Sequence, residues 1–231
     1  SFQTNYRVCT GADGKGDIYD WKNVESLAQD VQQDLKSSGI TTSSKVHLVV
    51  ADGGFDAQRD SEFQEELAQK IVLCEMMASI YLLRVRGTML IKMFGFQTSA
   101  IRTAMQSLYD MFDELRILKP ISSRPASSER YVIFSGFRGL PSDWDGPSWL
   151  SRVLLGKATT GPPASYVDLN LFLNQMDRDV LTLNLKACFA ILSTLDRKSV
   201  HSFSGLSEED NWTEERLPIN TSAYKAAWRL C

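Results

Sequence analysis

The spacing of hydrophobic positions predicts an alternation of helices and strands along the chain. Helical spacing is clearest from Phe63 to Ala78, where the apolar side chains form one stripe. Short, nearly continuous apolar runs lie between the helical segments and indicate strands. The pattern predicts helices over 24–35, 62–83, 100–112, 169–195 and 222–230, and strands over 46–51, 88–94, 115–118 and 130–135.

The order of these elements predicts an α/β fold. Alternating strands and helices favour a parallel sheet with helices on both faces. The run Val46–Ala51 is apolar almost throughout, as expected of a buried parallel strand. The loop 119–129 has no helical pattern, so we expect the strands on either side of it to pair antiparallel. A parallel sheet with such a C-terminal hairpin is the methyltransferase variant of the Rossmann-like fold.

The composition changes after Gly139. Residues 140–165 are rich in glycine and proline and contain two tryptophans, which predicts an irregular or linking segment. Helical spacing then returns, and residues 207–218 are acidic and expected to be exposed. We therefore expect a domain over 1–139 and an irregular linker with a mostly helical appendage over 140–231. The glycine-rich stretch 10–16 follows no strand and is expected to be a loop.

Charge and cysteine content narrow the possible partners. The formal net charge of −3 over 231 residues argues weakly against nucleic acid, but residues 116–138 hold five cations and one anion. The four cysteines are scattered without a CxxC pair, which indicates reduced thiols and gives no zinc motif. No apolar run is long enough to span a membrane, so we expect no membrane partner.

Three charged residues lie where the predicted strands begin or end. Asp52 follows the first strand, Lys92 lies near the end of the second, and Glu129 precedes the last. Open α/β sheets place their active sites at such strand ends. Because a lone buried charge is costly, we expect the three groups to compensate one another at one site.

Each of these residues also has a structural interpretation. Lys92 can extend its amine to solvent from a strand end, Asp52 opens an Asp-Gly-Gly turn, and Glu129 can be an ordinary exposed residue. The catalytic interpretation makes Lys92 the group that removes a proton from a hydroxyl and Asp52 its partner. The serines and the arginine of loop 122–128 suit phosphate and sugar contacts, or else form a solvated turn.

Four segments together carry a family resemblance. In order, they are Gly16–Ile18, Ala51–Phe55, Ile91–Phe94 and Lys119–Tyr131, the last reading KPISSRPASSERY. The set resembles the cellular mRNA cap 2′-O-methyltransferases of the FtsJ/RrmJ-like group, strongly over 5–138 and weakly over 165–230. Residues 1–139 would then be the C-terminal portion of the methyltransferase domain.

The resemblance implies an enzyme that transfers a methyl group from S-adenosylmethionine to a ribose 2′-hydroxyl at the 5′ end of capped mRNA. The first transcribed nucleotide (cap 1) is favoured as the target. The alternatives are cap 2, ribosomal or transfer RNA, or an inactive module that binds RNA or acts as a scaffold. The expected location is the nucleus, and the chemistry requires no metal.

The resemblance also assigns residues. The family uses a Lys-Asp-Lys-Glu tetrad, whose last three members correspond to Asp52, Lys92 and Glu129 as catalytic residues. Asp17 and Asp52 lie near the methyl donor, whereas RNA contacts fall on a serine–arginine loop. The RNA-contacting residues are Ser123, Arg124 and Ser128. The first lysine and the glycine-rich donor loop lie upstream in the family and are not found here, so we expect an upstream segment or a second chain to complete the site.

Overall fold

The described residues form one four-stranded sheet and five α-helices. The computed structural model describes residues 6–40, 43–54, 64–157 and 163–203. The strands are β1 (Val46–Ala51), β2 (Leu83–Met93), β3 (Glu114–Leu118) and β4 (Arg130–Ser135). The helices are α1 (Trp21–Ser37), α2 (Gln64–Leu82), α3 (Ser99–Met111), α4 (Gly146–Leu154) and α5 (Val167–Phe203), with a 3₁₀ turn at Pro163–Tyr166 before α5. The predicted acidic segment 207–218 and helix 222–230 lie outside the described residues.

The sheet has the strand order β1-β2-β4-β3. β1 and β2 are parallel, and β4 runs antiparallel between β2 and β3. The predicted antiparallel pairing of the last two strands is confirmed, as is the α/β fold with its C-terminal hairpin. This topology brings the ends of β1, β2 and β3 and the start of β4 to one edge of the sheet, which we call the upper edge.

The helices that join the strands form one layer, not the two that were predicted. α2, α3 and α4 contact one another, so they lie on the same face of the sheet. Met89, Ile91 and Phe134 on that face are completely buried, whereas Leu90 and Ile133 on the opposite face are partly exposed. Both crossovers advance in the same direction across the sheet, and right-handed crossovers that advance in one direction place their helices on one face.

The first strand lies at the edge of the sheet, which corrects its prediction as a buried strand. Within the described part of the chain only β2 pairs with it, and Leu48 and Val50 are 56% and 59% exposed. An apolar run indicates that a strand is buried, but it does not tell which part of the protein covers the strand.

β2 begins five residues before the predicted start, and α2 ends where β2 begins. The Arg86 amide donates to the carbonyl of Phe137 over 2.6 Å, and the Phe137 amide donates to the Gly87 carbonyl over 3.1 Å. These long-range bonds extend the strand through Arg86-Gly87, which local sequence had marked as a helix end.

The segment predicted to be irregular contains α4. The Asp145 carboxylate accepts a hydrogen bond from the Ser148 amide over 2.8 Å, and a proline follows in the first turn. Trp149 and Val153, four residues apart, are buried in the hydrophobic core, and the Trp149 indole donates to Ser107 of α3 over 2.9 Å. The glycine and proline content pointed to a linker, but a cap and two buried side chains suffice to form a short helix.

α5 is attached to the sheet domain by a stripe of polar contacts. Asn174 accepts from Arg102 over 2.5 Å, and Asp177 forms an ion pair with Arg130 over 2.6 Å. Leu169 and Leu173 are buried in the same hydrophobic core as the sheet. Past Val180 the helix projects exposed leucines. The predicted boundary at residue 139 stays a prediction, although α4 and the start of α5 share this core.

We expect Asp177→Ala to destabilise the fold. The side chains of Arg130 and Asp177 are only 4% and 11% exposed, so removing the carboxylate takes an ion-pair partner from a buried guanidinium. The cost is about 3 kcal/mol of unfolding free energy, measured by urea denaturation. Asp179→Ala, which removes an exposed carboxylate from the same helix, is the matched control and should change stability by less than about 0.5 kcal/mol. Equal stabilities of the two variants would contradict a stabilising role for the buried pair.

Candidate active site

Asp52 and Lys92 meet at the upper edge of the sheet. The Lys92 ammonium lies 2.6 Å from a carboxylate oxygen of Asp52 and donates to the Asp52 backbone carbonyl over 3.2 Å. Asp52 follows β1 directly, and the parallel register of β1 and β2 makes these strand ends neighbours. The Lys92 side chain is 14% exposed and that of Asp52 is 52% exposed. The largely buried amine is therefore oriented by a carboxylate that remains open to solvent.

Tyr131 is the third member of this group. The sequence predicted no role for it. It lies opposite Lys92 in the antiparallel register of β2 and β4, and its hydroxyl donates to the Asp52 carboxylate over 3.4 Å. Burial raises the pKa of Tyr131, and the nearby carboxylates of Glu129 and Asp52 raise it further. The phenol thus stays protonated and available as a donor. Its signal in the sequence was its place at the end of the recognised segment Lys119–Tyr131, two residues after Glu129.

Glu129 lies beside Tyr131, and among the described ion pairs none joins it to Lys92. Side chains alternate along a strand, so Glu129 projects on the same face as Tyr131, two residues on. Its carboxylate acts electrostatically on Tyr131 and on Lys119, and its amide donates to the Ser127 hydroxyl over 3.1 Å. The structure therefore brings Asp52 and Lys92 into contact, whereas Glu129 is linked to them only through Tyr131, on which both Glu129 and Asp52 act.

A buried carboxylate behind the pair also escaped sequence analysis. Glu75, in α2, is 7% exposed, and its Oε1 accepts a hydrogen bond from the Gly53 amide over 2.7 Å. A Cβ at Gly53 would come within 3.0 Å of the ends of the Glu75 and Ile71 side chains, so a larger residue here would displace the Glu75 carboxylate. Glu75 therefore fixes the turn that carries Asp52.

The electrostatics of Glu75 reflect its position. Burial raises the pKa of its carboxyl group, while the Gly53 amide and the Lys92 ammonium act in the opposite direction. The glutamate stood within the predicted helix 62–83, and only tertiary structure shows that it faces Asp52 and Lys92.

Asp17 lies in the loop before α1, apart from the other predicted residues. Its carboxylate is exposed and accepts from the Tyr19 amide over 2.8 Å, and its carbonyl accepts from the buried Asn23 amide group over 2.9 Å. The structure records no direct contact between Asp17 and Asp52. Its electrostatic neighbours are Tyr19 and Cys74, and Cys74 is a buried thiol whose pKa burial raises to about 11.

Lys119 holds the loop between β3 and β4. Its ammonium donates to the Ser123 hydroxyl over 3.2 Å and to the carbonyls of Ser127 and Glu129 over 2.7 and 2.9 Å. Burial lowers the pKa of Lys119. The lysine was part of the recognised segment but had no predicted role.

The predicted RNA-contacting residues lie in this loop. Ser128 also contacts α5, because its hydroxyl and the side-chain amide of Asn184 lie 3.4 Å apart, within hydrogen-bond distance. Arg124 is exposed at the tip of the loop, and no ion pair holds it among the described residues. The loop is therefore fixed at both sides and presents a cation to solvent at its tip.

Residues 4–137 match the model of the FtsJ-like methyltransferase family. The chain belongs to the FtsJ-like methyltransferase family. It is 34% identical over 137 residues to cap-specific mRNA (nucleoside-2′-O-)-methyltransferase 1 of Trypanosoma brucei brucei, a match that covers 59% of this chain and 34% of that protein. The protein of the same name in Homo sapiens is 33% identical over 128 residues, which cover 55% of this chain and 15% of that protein.

The chain spans about a third or less of the length of these curated relatives. A solved structure of a ribosomal RNA methyltransferase, putative, from Plasmodium falciparum aligns with a TM-score of 0.36 at 20% identity, over 47% of this chain and 56% of that one. A similarity at that level supports no conclusion about function.

The described residues contain no candidate membrane span and no candidate metal cluster. No helix there has the length and apolar character of a membrane span, and no group of three metal-ligating side chains occurs there.

We expect Glu75→Gln to change the pH dependence of stability. Because burial raises the folded-state pKa of Glu75 above its ordinary value of 4.5, the folded protein holds this proton more tightly than the unfolded chain. The stabilisation is complete below pH 4.5 and is lost as pH rises through the folded pKa. The glutamine keeps an acceptor for Gly53 and does not ionise, so the variant should gain stability relative to the parent as pH rises.

Urea denaturation across pH 4 to 8 measures this difference. Glu25→Gln, at an exposed position of α1, is the matched control and should follow the parent at every pH. A constant offset between the Glu75→Gln variant and the parent would mean that Glu75 ionises equally in the folded and unfolded states.

Proposed function

We propose that this chain carries the catalytic edge of an mRNA cap 2′-O-methyltransferase that methylates the ribose of the first transcribed nucleotide. The observation that supports this most directly is the ion pair between Lys92 and Asp52 at the upper edge of an FtsJ-like sheet. An amine that is 14% exposed and ends beside a solvent-facing carboxylate is suited to proton transfer at a hydroxyl.

The proposed chemistry uses the side chains in distinct roles. Lys92, in its neutral form, takes the proton from the 2′-hydroxyl, and Asp52 holds the resulting ammonium in place. Tyr131 donates to Asp52 and restricts the carboxylate to one orientation. Glu129 adds negative potential on the same face, which stabilises the ammonium formed in the reaction. Holding the ribose oxygen in line with the methyl group supplies much of the remaining acceleration.

S-adenosylmethionine is the proposed methyl donor, and it supplies an electrophilic methyl group when bound. Two groups in the structure fit such a molecule. Asp17 and Asp52 are exposed carboxylates, which can accept hydrogen bonds from hydroxyl and ammonium groups. A glycine-rich donor loop and the first lysine of the tetrad are not recognised in this sequence, so Asp17 and Asp52 would hold only part of the donor.

We propose that an upstream segment or a second chain completes the site by pairing with β1. Leu48 and Val50 are more than half exposed on this strand, although a sheet edge with apolar side chains favours a further strand. The partner would supply the missing lysine and donor loop at the same upper edge. The length of the curated relatives, of which this chain covers a third or less, is consistent with such a partner.

The proposed substrate is the 5′ end of capped mRNA, and the proposed location is the nucleus. The curated relatives are named cap-specific mRNA (nucleoside-2′-O-)-methyltransferase 1, which favours capped mRNA over ribosomal or transfer RNA. Methylation of capped and uncapped RNA of one sequence tests this choice. We expect activity on the capped RNA alone, and equal activity on both would redirect the proposal to another RNA class.

An inactive, RNA-binding module is the second candidate, because neither the donor loop nor the first lysine is recognised here. Calorimetry of S-adenosylmethionine with the intact protein separates the two. Binding supports the enzyme, and a flat titration favours the inactive module.

We expect Lys92→Ala to lower the methylation rate by about 100- to 10,000-fold, the range that general base catalysis contributes. The measurement is the single-turnover rate on capped RNA, with circular dichroism as the check on folding. Lys22→Ala, at an exposed position of α1, is the control and should retain the parent rate. A well-folded Lys92→Ala protein with substantial activity would remove Lys92 from the role of base.

We expect Arg124→Ala to weaken RNA binding in a salt-dependent way. Losing one phosphate contact should reduce the slope of log affinity against log salt concentration by about 0.7. Fluorescence anisotropy with labelled capped RNA measures this slope. Arg138→Ala, at the opposite edge of the sheet, is the matched control. Identical slopes for the parent and the Arg124→Ala variant would place Arg124 away from the RNA.

A further inference from the structure

A cleft of about 470 Å³ opens between α5 and the upper edge of the sheet. Its walls come from the end of β2, the residue before Glu129, and the middle of α5. Its lining residues include Phe94, Gln97, Ser128, Asn174, Arg178 and Leu181. Phe94 lies two residues after Lys92, and Ser128 lies one residue before Glu129. The cleft therefore begins beside the candidate reaction centre.

Two side-chain amides in this cleft, those of Asn174 and Gln97, are fixed in direction. The Asn174 carbonyl oxygen accepts from Arg102 over 2.5 Å, which leaves the Asn174 amino group for other partners. The Gln97 amino group donates to Asp177, which leaves the Gln97 carbonyl oxygen. One oriented donor and one oriented acceptor are what a nucleobase edge or a ribose requires.

The charge of the cleft favours an anion. The Asp177 carboxylate is neutralised by the buried Arg130 guanidinium. Arg178 is exposed on the cleft wall and forms no ion pair among the described residues. A free guanidinium at the mouth of a partly apolar cleft is suited to a phosphate group.

Apolar side chains complete the lining. Phe94, Val180 and Leu181 contribute to the walls, and the bases of single-stranded RNA bind such surfaces when they are unstacked. The loop 119–129 forms part of the same wall, because Asn184 of α5 contacts the Ser128 hydroxyl. The cleft is thus continuous with the surface proposed to hold RNA.

We propose that this cleft binds the ribonucleotide next to the one that is methylated, with Arg178 on its phosphate and Asn174 and Gln97 on its base or ribose. The assignment rests on the proposed function, and it gives α5 a part in holding the substrate. The chemistry that defines the ligand is a single-stranded, phosphate-linked nucleotide that extends beyond the reacting ribose.

The test compares RNA binding by the parent and by Arg178→Ala in the intact protein. Fluorescence anisotropy is measured with two capped RNAs, one that ends at the first transcribed nucleotide and one that is ten nucleotides longer. Loss of a charge-assisted contact should weaken binding of the longer RNA about tenfold and leave the shorter one unchanged. Arg152→Ala, at an exposed position of α4 outside the cleft, is the matched control and should bind both RNAs as the parent does.

A photo-crosslink gives a second measurement that does not depend on the Arg178 variant. A capped RNA with 4-thiouridine as its second transcribed nucleotide should crosslink to the peptide containing residues 174–181. Unchanged affinity of the Arg178→Ala variant for the longer RNA, or crosslinks confined to other peptides, would overturn the proposal. Both readouts measure binding alone, so a protein that binds RNA in the cleft and fails to methylate it would contradict the proposed function and leave this inference standing.

Discussion

The arrangement of the upper edge depends on pairing the positive charge of one largely buried lysine with an anion. Lys92 occupies a position in β2 between two completely buried neighbours, and its side chain is 14% exposed. An ammonium so far removed from water is stable only beside an anion that is held in place. Asp52 provides that anion because β1 ends beside β2 in parallel register. The pairing of β1 with β2 therefore places the reactive amine and the carboxylate that orients it side by side.

The support for this pair comes from α2 and β4. The Glu75 carboxylate accepts a hydrogen bond from the Gly53 amide and so holds the turn from which Asp52 projects. Tyr131 reaches the same carboxylate from the neighbouring antiparallel strand. Asp52 is thus fixed through its own turn and through its side chain, which is still 52% exposed to solvent. A site held in this way keeps its geometry before any substrate binds, which lowers the entropic cost of the reactive arrangement.

The antiparallel strand β4 connects the site to α5. Arg130 begins β4 opposite Met93 and forms a buried ion pair with Asp177 of α5. The same strand start places Glu129 on the reactive face and leaves the loop 119–129 beside α5. The strand β4 thereby sets the positions of Glu129, of the loop 119–129 and of α5, which forms one wall of the neighbouring cleft.

Local patterns determined the elements and the chemistry that they carry. Periodicity located each strand, and the final strand 130–135 was predicted to the residue, since alternation within one strand requires no knowledge of its neighbours. Asp52, Lys92 and Glu129 were recognisable because charges at the ends of apolar runs are costly in any fold. Only the tertiary structure decided that β1 lies at an edge, that the connecting helices share one face, and that Tyr131 and Glu75 support Asp52. These facts depend on which distant backbone segments pair and on which face the crossovers cover, and no local window of sequence contains that information.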